Sequence, residues 1–238
     1  MRCARDHHQL VVRAGGEVAG AALYHRRMLA LVAALMLVGP SVGSAKTFVL
    51  TAQSSDRIAA IAEPAPRHSL AMNERASGVF DTSRVHLAHD RSFLIRFSLE
   101  RIPPAQRIAH AELMMPVAEV VGSEPRFYLW RLNARWGAGA CYDYRTTVPK
   151  LTAWTRPGAR GLSSDRATRP TDIVRLTGPG EVTVNVTEDV ALWYTGSASN
   201  EGWIVTVEDP ELAVYLASPL ASTEARSAWK LRITYEPI

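Results

Sequence analysis

The sequence predicts an all-β protein: an antiparallel β-sandwich with one short helix and one long ordered loop. Most of the chain alternates apolar and polar residues with the period of two that a half-buried strand imposes. One segment alone, Glu188–Tyr194, reads as an amphipathic helix, and the strand–helix–strand rhythm of a parallel sheet is missing. Between Asn133 and Pro179, more than forty residues rich in Gly, Pro, Arg and aromatics separate two clean strand patterns. A loop of that length inside a compact domain is either functional or disordered, and disordered segments are poor in aromatics.

The N-terminal stretch reads as a leader. Met28–Val38 (MLALVAALMLV) is apolar, His25-Arg26-Arg27 supplies a positive flank, and Gly43-Ser44-Ala45 offers small residues for cleavage. The apolar run is too short to span a bilayer. Residues 1–45 are therefore expected to be a leader with a signal peptide, translation starting at Met28. Residues 46–238 are expected to form one domain, secreted, periplasmic or at the cell surface, with no membrane span in the mature form.

Within that domain the elements follow from their faces. Thr47–Gln53 is a short apolar strand, and Asp56–Glu63 is a strand or a helical turn ended by Pro64 and Pro66. Residues 67–83 are polar and loop-like. Arg84–His89 alternates, and Phe93, Ile95, Phe97 and Leu99 mark one face of a strong strand whose other face carries Arg96 and Ser98. Ile102-Pro103-Pro104 forces a turn. Ile108–Ala118 returns with Ala111, Leu113, Met115 and Val117 on one face, and Phe127–Asn133 follows.

Beyond the loop, Glu181–Val186 alternates again. Thr187 is placed to cap the helix, whose acidic start (Glu188, Asp189) suits a helix N-terminus. Thr195–Glu201 is a turn. Trp203, Val205 and Val207 share a face, Ala213–Ala217 is a short strand, and Trp229, Leu231, Ile233 and Tyr235 close the chain. Trp193, Trp203 and Trp229 fall at apolar positions and read as core. Asn185-Val186-Thr187 forms a sequon, but its place between strand and helix makes it structural.

Charge is distributed unevenly. Removing residues 1–45 leaves 22 basic against 21 acidic side chains, and 19 of the basic ones are Arg. Residues 126–175 hold ten basic and three acidic groups, whereas the rest of the mature chain holds twelve and eighteen. A cationic segment beside an acidic remainder attracts an anionic partner, and arginine suits bidentate recognition of carboxylate or sulfate. The near-balanced total argues against nucleic acid. Cys141 is the one cysteine of the mature chain, so no intrachain disulfide can form, and it reads as a buried structural residue.

The candidate binding residues are Trp136, Tyr142, Tyr144, Arg145, Lys150, Trp154, Arg156 and Arg160. The aromatics can stack on sugar rings while the cations meet negative groups. The competing reading is that the aromatics pin the loop to the sandwich. The arginines, likewise, can bond loop carbonyls or pair with Asp143, Asp165 and Asp172. A polysaccharide lyase would need Tyr142 or Tyr144 with Arg145 and with His86 or His89. A glycosidase would need two facing carboxylates, for which Asp143 and Asp165 are available. Neither constellation is assembled by the sequence. No cofactor is called for, and a structural Ca²⁺ is left open.

Four segments in order resemble the DNRLRE-type modules, relatives of the disaggregatase-related repeats of secreted proteins. They are Phe93–Leu99 with Ile102-Pro103-Pro104 and Ile108–Leu113; Val184–Val190 with Trp193 and Gly196; Asn200–Ile204; and Trp229–Glu236. The resemblance spans about residues 47–238 and implies a jelly-roll sandwich and, for some members, binding of uronate polymers. The Arg-rich loop and the lack of an attached enzyme depart from that pattern. The expected function is a non-catalytic module that binds an acidic polysaccharide, of uronate or sulfated type. The alternative is a structural module contacting cell-surface or matrix proteins.

Overall fold

The computed structural model describes residues 44–52, 57–62, 80–81, 84–137, 139–219 and 228–238. The expected leader, apart from its last two residues, lies outside them, as do Gln53–Asp56 and most of the stretch between Glu63 and Ser83. The first strands are β1 (Lys46–Thr51), β2 (Arg57–Ala62), β3 (Phe80–Asp81), β4 (Arg84–Leu87) and β5 (Arg91–Arg96). Then come β6 (Gln106–Val121), β7 (Arg126–Arg131), β8 (Tyr144–Thr146), β9 (Thr152–Ala153) and β10 (Asp172–Arg175). The chain ends with β11 (Gly180–Asn185), α1 (Thr187–Tyr194), β12 (Trp203–Thr206), β13 (Ala213–Ala217) and β14 (Lys230–Pro237).

These strands make the predicted antiparallel sandwich. The first sheet runs β1-β14-β6-β13-β4-β3 with β11 also on β6; the second runs β10-β7-β12-β5-β2. The long strand β6 organises the first sheet. At Leu113 it is paired with both Leu231 of β14 and Val184 of β11, and at Val117 with both Gly180 of β11 and Leu216 of β13. A strand has two edges, so β13 and β14 must lie end to end along one edge of β6, with β11 along the other. Trp229 closes the excursion between them, donating its indole N–H to Ala217 O at 2.7 Å.

The core lies between the sheets. Phe93, Ile95, Phe127, Leu129, Trp203 and Val205 from the second sheet meet Leu113, Met115, Val117, Val184, Leu231 and Ile233 from the first. Each such side chain contributes about 1.5–3 kcal/mol when removed from water. The outer face of the second sheet is apolar as well: Ala59, Ile61, Leu94, Trp130, Leu132 and Ile204 pack with Trp136, Trp154 and Ala159 of the loop. The loop is thus a third layer over the second sheet, and β12, buried along its whole length, is central to both cores.

Several expectations are refined. Asp56–Glu63 contains a strand, β2, instead of a helical turn. β10 lies within the stretch read as loop, where Asp172–Arg175 pairs with Leu129–Arg126 of β7. The helix is present with its acidic first turn, but Thr187 is not its cap. The N-cap position falls on Val186 without a side-chain bond, and Thr187 Oγ1 instead accepts from Ala111 N at 2.9 Å. Asn185 Oδ1 accepts from Thr187 N at 3.0 Å, which fixes the strand-to-helix turn. Trp193 of α1 lies 4.6 Å from Trp203, ring centre to ring centre. Gly202, with φ +75°, leads into β12 where the backbone comes close to β5. A Cβ there would collide with Ile95 O and lie 2.8 Å from Arg96 Cα, so no larger residue fits.

Candidate anion-binding site

The loop over the second sheet has no periodicity, and individual bonds hold it. Trp136 is fully buried and donates from Nε1 to Glu201 O at 2.7 Å. Trp154, 4% exposed, donates to Cys141 O at 2.8 Å. The buried Asp165 carboxylate accepts from three backbone amides, Thr155 and Arg156 at 2.9 Å and Gly161 at 3.0 Å. Its carbonyl oxygen accepts from Asn133 and Ala134 as well. Asp165 is therefore the loop's hub, not an arginine partner, and it has no place in a pair of catalytic carboxylates. Cys141 is fully buried, and burial pushes its thiol above the ordinary value.

Four of the loop's cations lie toward the two ends of β12, Arg160 and Arg166 at one and Arg135 and Arg145 at the other. Glu208, past its C-terminal end, faces Arg166, with Nη1 3.4 Å from Oε1. The Arg166 guanidinium lies 3.9 Å over the Trp130 ring. Nearby, Arg160 donates to His89 O. Tyr142 and Arg160 flank Gly158, where an added Cβ would come within 2.9 Å of the Tyr142 ring and 3.5 Å of Arg160 Nε.

Glu201, before the N-terminal end of β12, gathers the other group. Arg57 and Arg96 face each other across the β2–β5 ladder, and Arg135 and Arg145 arrive from the loop. Arg96 Nη1 is 3.8 Å from Glu201 Oε2. Arg57 Nη1 donates to Trp136 O at 2.6 Å and Arg145 Nη1 to Arg135 O at 3.2 Å. Burial pushes the Glu201 carboxyl above its ordinary value, and Arg96, Arg57, Arg135 and Arg145 pull it back. Four guanidinium groups around one carboxylate leave surplus positive charge, with Arg135 exposed.

The expected site residues therefore separate. Trp136 and Trp154 present no ring face to solvent; the sheet's outer face captures them because a fully apolar surface had to be covered. Arg145 joins the cluster at Glu201. Tyr142, Arg156 and Arg160 lie in the segments around Gly158, with Tyr142 and Arg160 partly buried and Arg156 exposed. Tyr144 is partly buried on β8, which pairs with β9. Lys150 stands exposed in the turn of that hairpin, beside Val148 and Leu151. Of the histidines considered for a lyase, His86 stacks on Tyr215 of β13 at 4.5 Å and receives a hydrogen bond from Arg91.

Arg57, Arg96 and Glu201 were not singled out by the sequence. Arg96 was legible as the polar face of β5, but the pairing that sets Arg57 opposite it is a matter of register. Among the described residues no three His, Cys, Asp or Glu side chains gather as a metal site, and no helix is long and apolar enough to cross a membrane. No family model matches the chain, and no curated protein is significantly similar to it.

Proposed function

We propose that this chain is a secreted, non-catalytic module that binds an anionic polysaccharide, of uronate or sulfated type, at the arginine cluster around Glu201. One observation carries the reading: Arg96 lies 3.8 Å from Glu201 Oε2, and Arg57, Arg135 and Arg145, from β2 and the loop, are close enough for their charges to act on the same carboxylate. Planar guanidinium groups fixed by the sheet and by backbone carbonyls match carboxylate and sulfate groups bidentately. The DNRLRE-like segments favour the same reading, and the leader pattern supports export from the cytoplasm. Titration of the protein with oligouronates and with sulfated oligosaccharides at two salt concentrations tests this. Binding is expected that weakens with salt and falls at least tenfold in Arg135→Ala/Arg145→Ala. Indifference of every acidic glycan would sink the reading.

A second reading, a structural module that contacts matrix or cell-surface proteins, draws on the β8–β9 turn. Val148 and Leu151, 82% and 55% exposed, stand beside Lys150 there. Self-association in analytical ultracentrifugation that is abolished by Val148→Ser/Leu151→Ser, with no glycan bound, would favour it.

A further inference from the structure

The Glu201 end of the second sheet has a different surface on its inner side. Arg131 is opposite Trp203 in the ladder and so projects from the core face, whereas Arg96 alternates with Ile95 and projects outward. Here an open cleft of about 850 Å³ is lined by Arg131, the segment Ala167–Asp172, Asn185 and the first turns of α1. That volume falls within the range of small-ligand sites.

We propose that this cleft binds an uncharged, polyhydroxylated ligand, a neutral sugar unit, separately from the arginine cluster. Its charges nearly cancel: Arg131 and Arg169 are set against Asp172, Glu188 and Asp189, and the amide ends of α1 offset the carboxylates of its first turn. An anion therefore meets no surplus positive charge, unlike at Glu201. Polar capacity is nevertheless unspent. Arg131 Nε is 3.5 Å from Asp189 Oδ1, and its two Nη groups have no partner among the described residues. The Asn185 amide nitrogen and the exposed Thr168 hydroxyl likewise make no bond among the described residues, while Asp172 offers acceptor oxygens.

Donors and acceptors interleaved without net charge suit hydroxyl groups, each of which donates and accepts at once. Leu192 adds an apolar wall for the C–H face of a ring. The polar lining is held rigidly from beneath, because Asp189 Oδ2 accepts from Thr171 Oγ1 at 2.6 Å and from Trp203 Nε1 at 2.8 Å. The ligand would thus meet a preformed surface.

The test titrates the full chain with maltotetraose, cellotetraose, mannotetraose and xylotetraose, and in parallel with an oligouronate. At least one neutral tetrasaccharide is expected to bind. Thr168→Trp, which fills the cleft from an exposed position, is expected to weaken it tenfold or more while leaving oligouronate affinity within twofold. Arg135→Ala is expected to spare the neutral ligand. The proposal is overturned if none of the four binds at millimolar concentration, or if Thr168→Trp leaves neutral binding unchanged. Failure of the unmutated chain to bind the oligouronate, with a neutral tetrasaccharide still bound, would sink the arginine-cluster reading and leave the cleft standing.

Discussion

Trp203 donates its indole N–H to Asp189 Oδ2 at 2.8 Å, which ties the first turn of α1 to the middle strand of the second sheet. Thr171 Oγ1 donates to the same oxygen, so one buried carboxylate joins helix, strand and loop. Asp189→Ala leaves one buried and one partly buried donor without an acceptor and is expected to cost about 2–4 kcal/mol. Asp189→Asn keeps an acceptor and is expected to cost less. The pH dependence has a definite sign. Burial pushes the Asp189 carboxyl above its ordinary 3.8, against the bonds from Thr171 and Trp203 and the charge of Arg131. The folded protein then holds this proton more tightly than the unfolded chain, so its contribution is whole below pH 3.8 and is lost as pH rises through the raised value. Urea unfolding across that range should show the stability of the wild type falling relative to Asp189→Asn. A gap that moved in the opposite direction would contradict the assignment.

The same accounting of partners applies to Asp165. Its carboxylate satisfies three loop amides that would otherwise be stranded near the apolar layer. Asp165→Ala is expected to destabilise the protein by about 3 kcal/mol or more, since bonds to charged groups contribute about 1.5–3 kcal/mol each and do not simply add. Limited proteolysis should then cut first between residues 133 and 171. Cleavage elsewhere, with the loop intact, would show that the aromatics alone hold it down.

Trp154 separates packing from recognition. Its ring is buried in the second core and its N–H reaches Cys141 O. Trp154→Ala is expected to cost about 3–5 kcal/mol through the cavity it leaves, and Trp154→Phe about 1–2 kcal/mol for the lost bond. Neither should change acidic-glycan affinity measured on the folded fraction. A Trp154→Phe variant of wild-type stability that bound tenfold more weakly would restore the ring to a binding role.

What the sequence made legible follows from how each signal arises. Leu113, Met115 and Val117 alternate with half-buried residues over many positions, so β6 and its buried face could be read directly, though not its full length. Asp172–Arg175 could not: four residues with charged ends and an exposed Ile173 are a strand only because β7 offers an edge. The third layer has a signal in Leu94 beside Ile95, and in Trp130 and Leu132 beside Leu129, which a reading of the other face of β5 from Arg96 and Ser98 passes over. Both faces of those strands are apolar, and something had to cover the second. Which loop residues do so depends on a path fixed by Asp165, a residue that in sequence looks like one more charge among arginines. The site at Glu201 was hidden for the same reason. Arg57 and Arg145 are 88 positions apart in the sequence, and sheet register and the loop's fold bring them to one carboxylate.

Glu201 controls the charge of that cluster. Its Oε2 is buried and accepts no hydrogen bond among the described residues, and Arg96 Nη1 is 3.8 Å away. Burial pushes its carboxyl above the ordinary 4.5, and the four arginines oppose that push. While ionised it cancels one of four positive charges; once protonated it cancels none. Affinity for an anion should therefore rise as pH falls through the raised value. The ligand for this measurement must keep its own charge over that range, which favours a sulfated oligosaccharide over a uronate. Glu201→Gln holds the group neutral, so it is expected to bind the sulfated ligand about three- to tenfold more tightly at pH 7. That corresponds to a change in binding free energy on the order of 1 kcal/mol. The variant should also lose the pH dependence. Weaker binding by Glu201→Gln would mean that the carboxylate matters more for holding the guanidinium groups in place than for neutralising them, and the surplus-charge account of the site would fall.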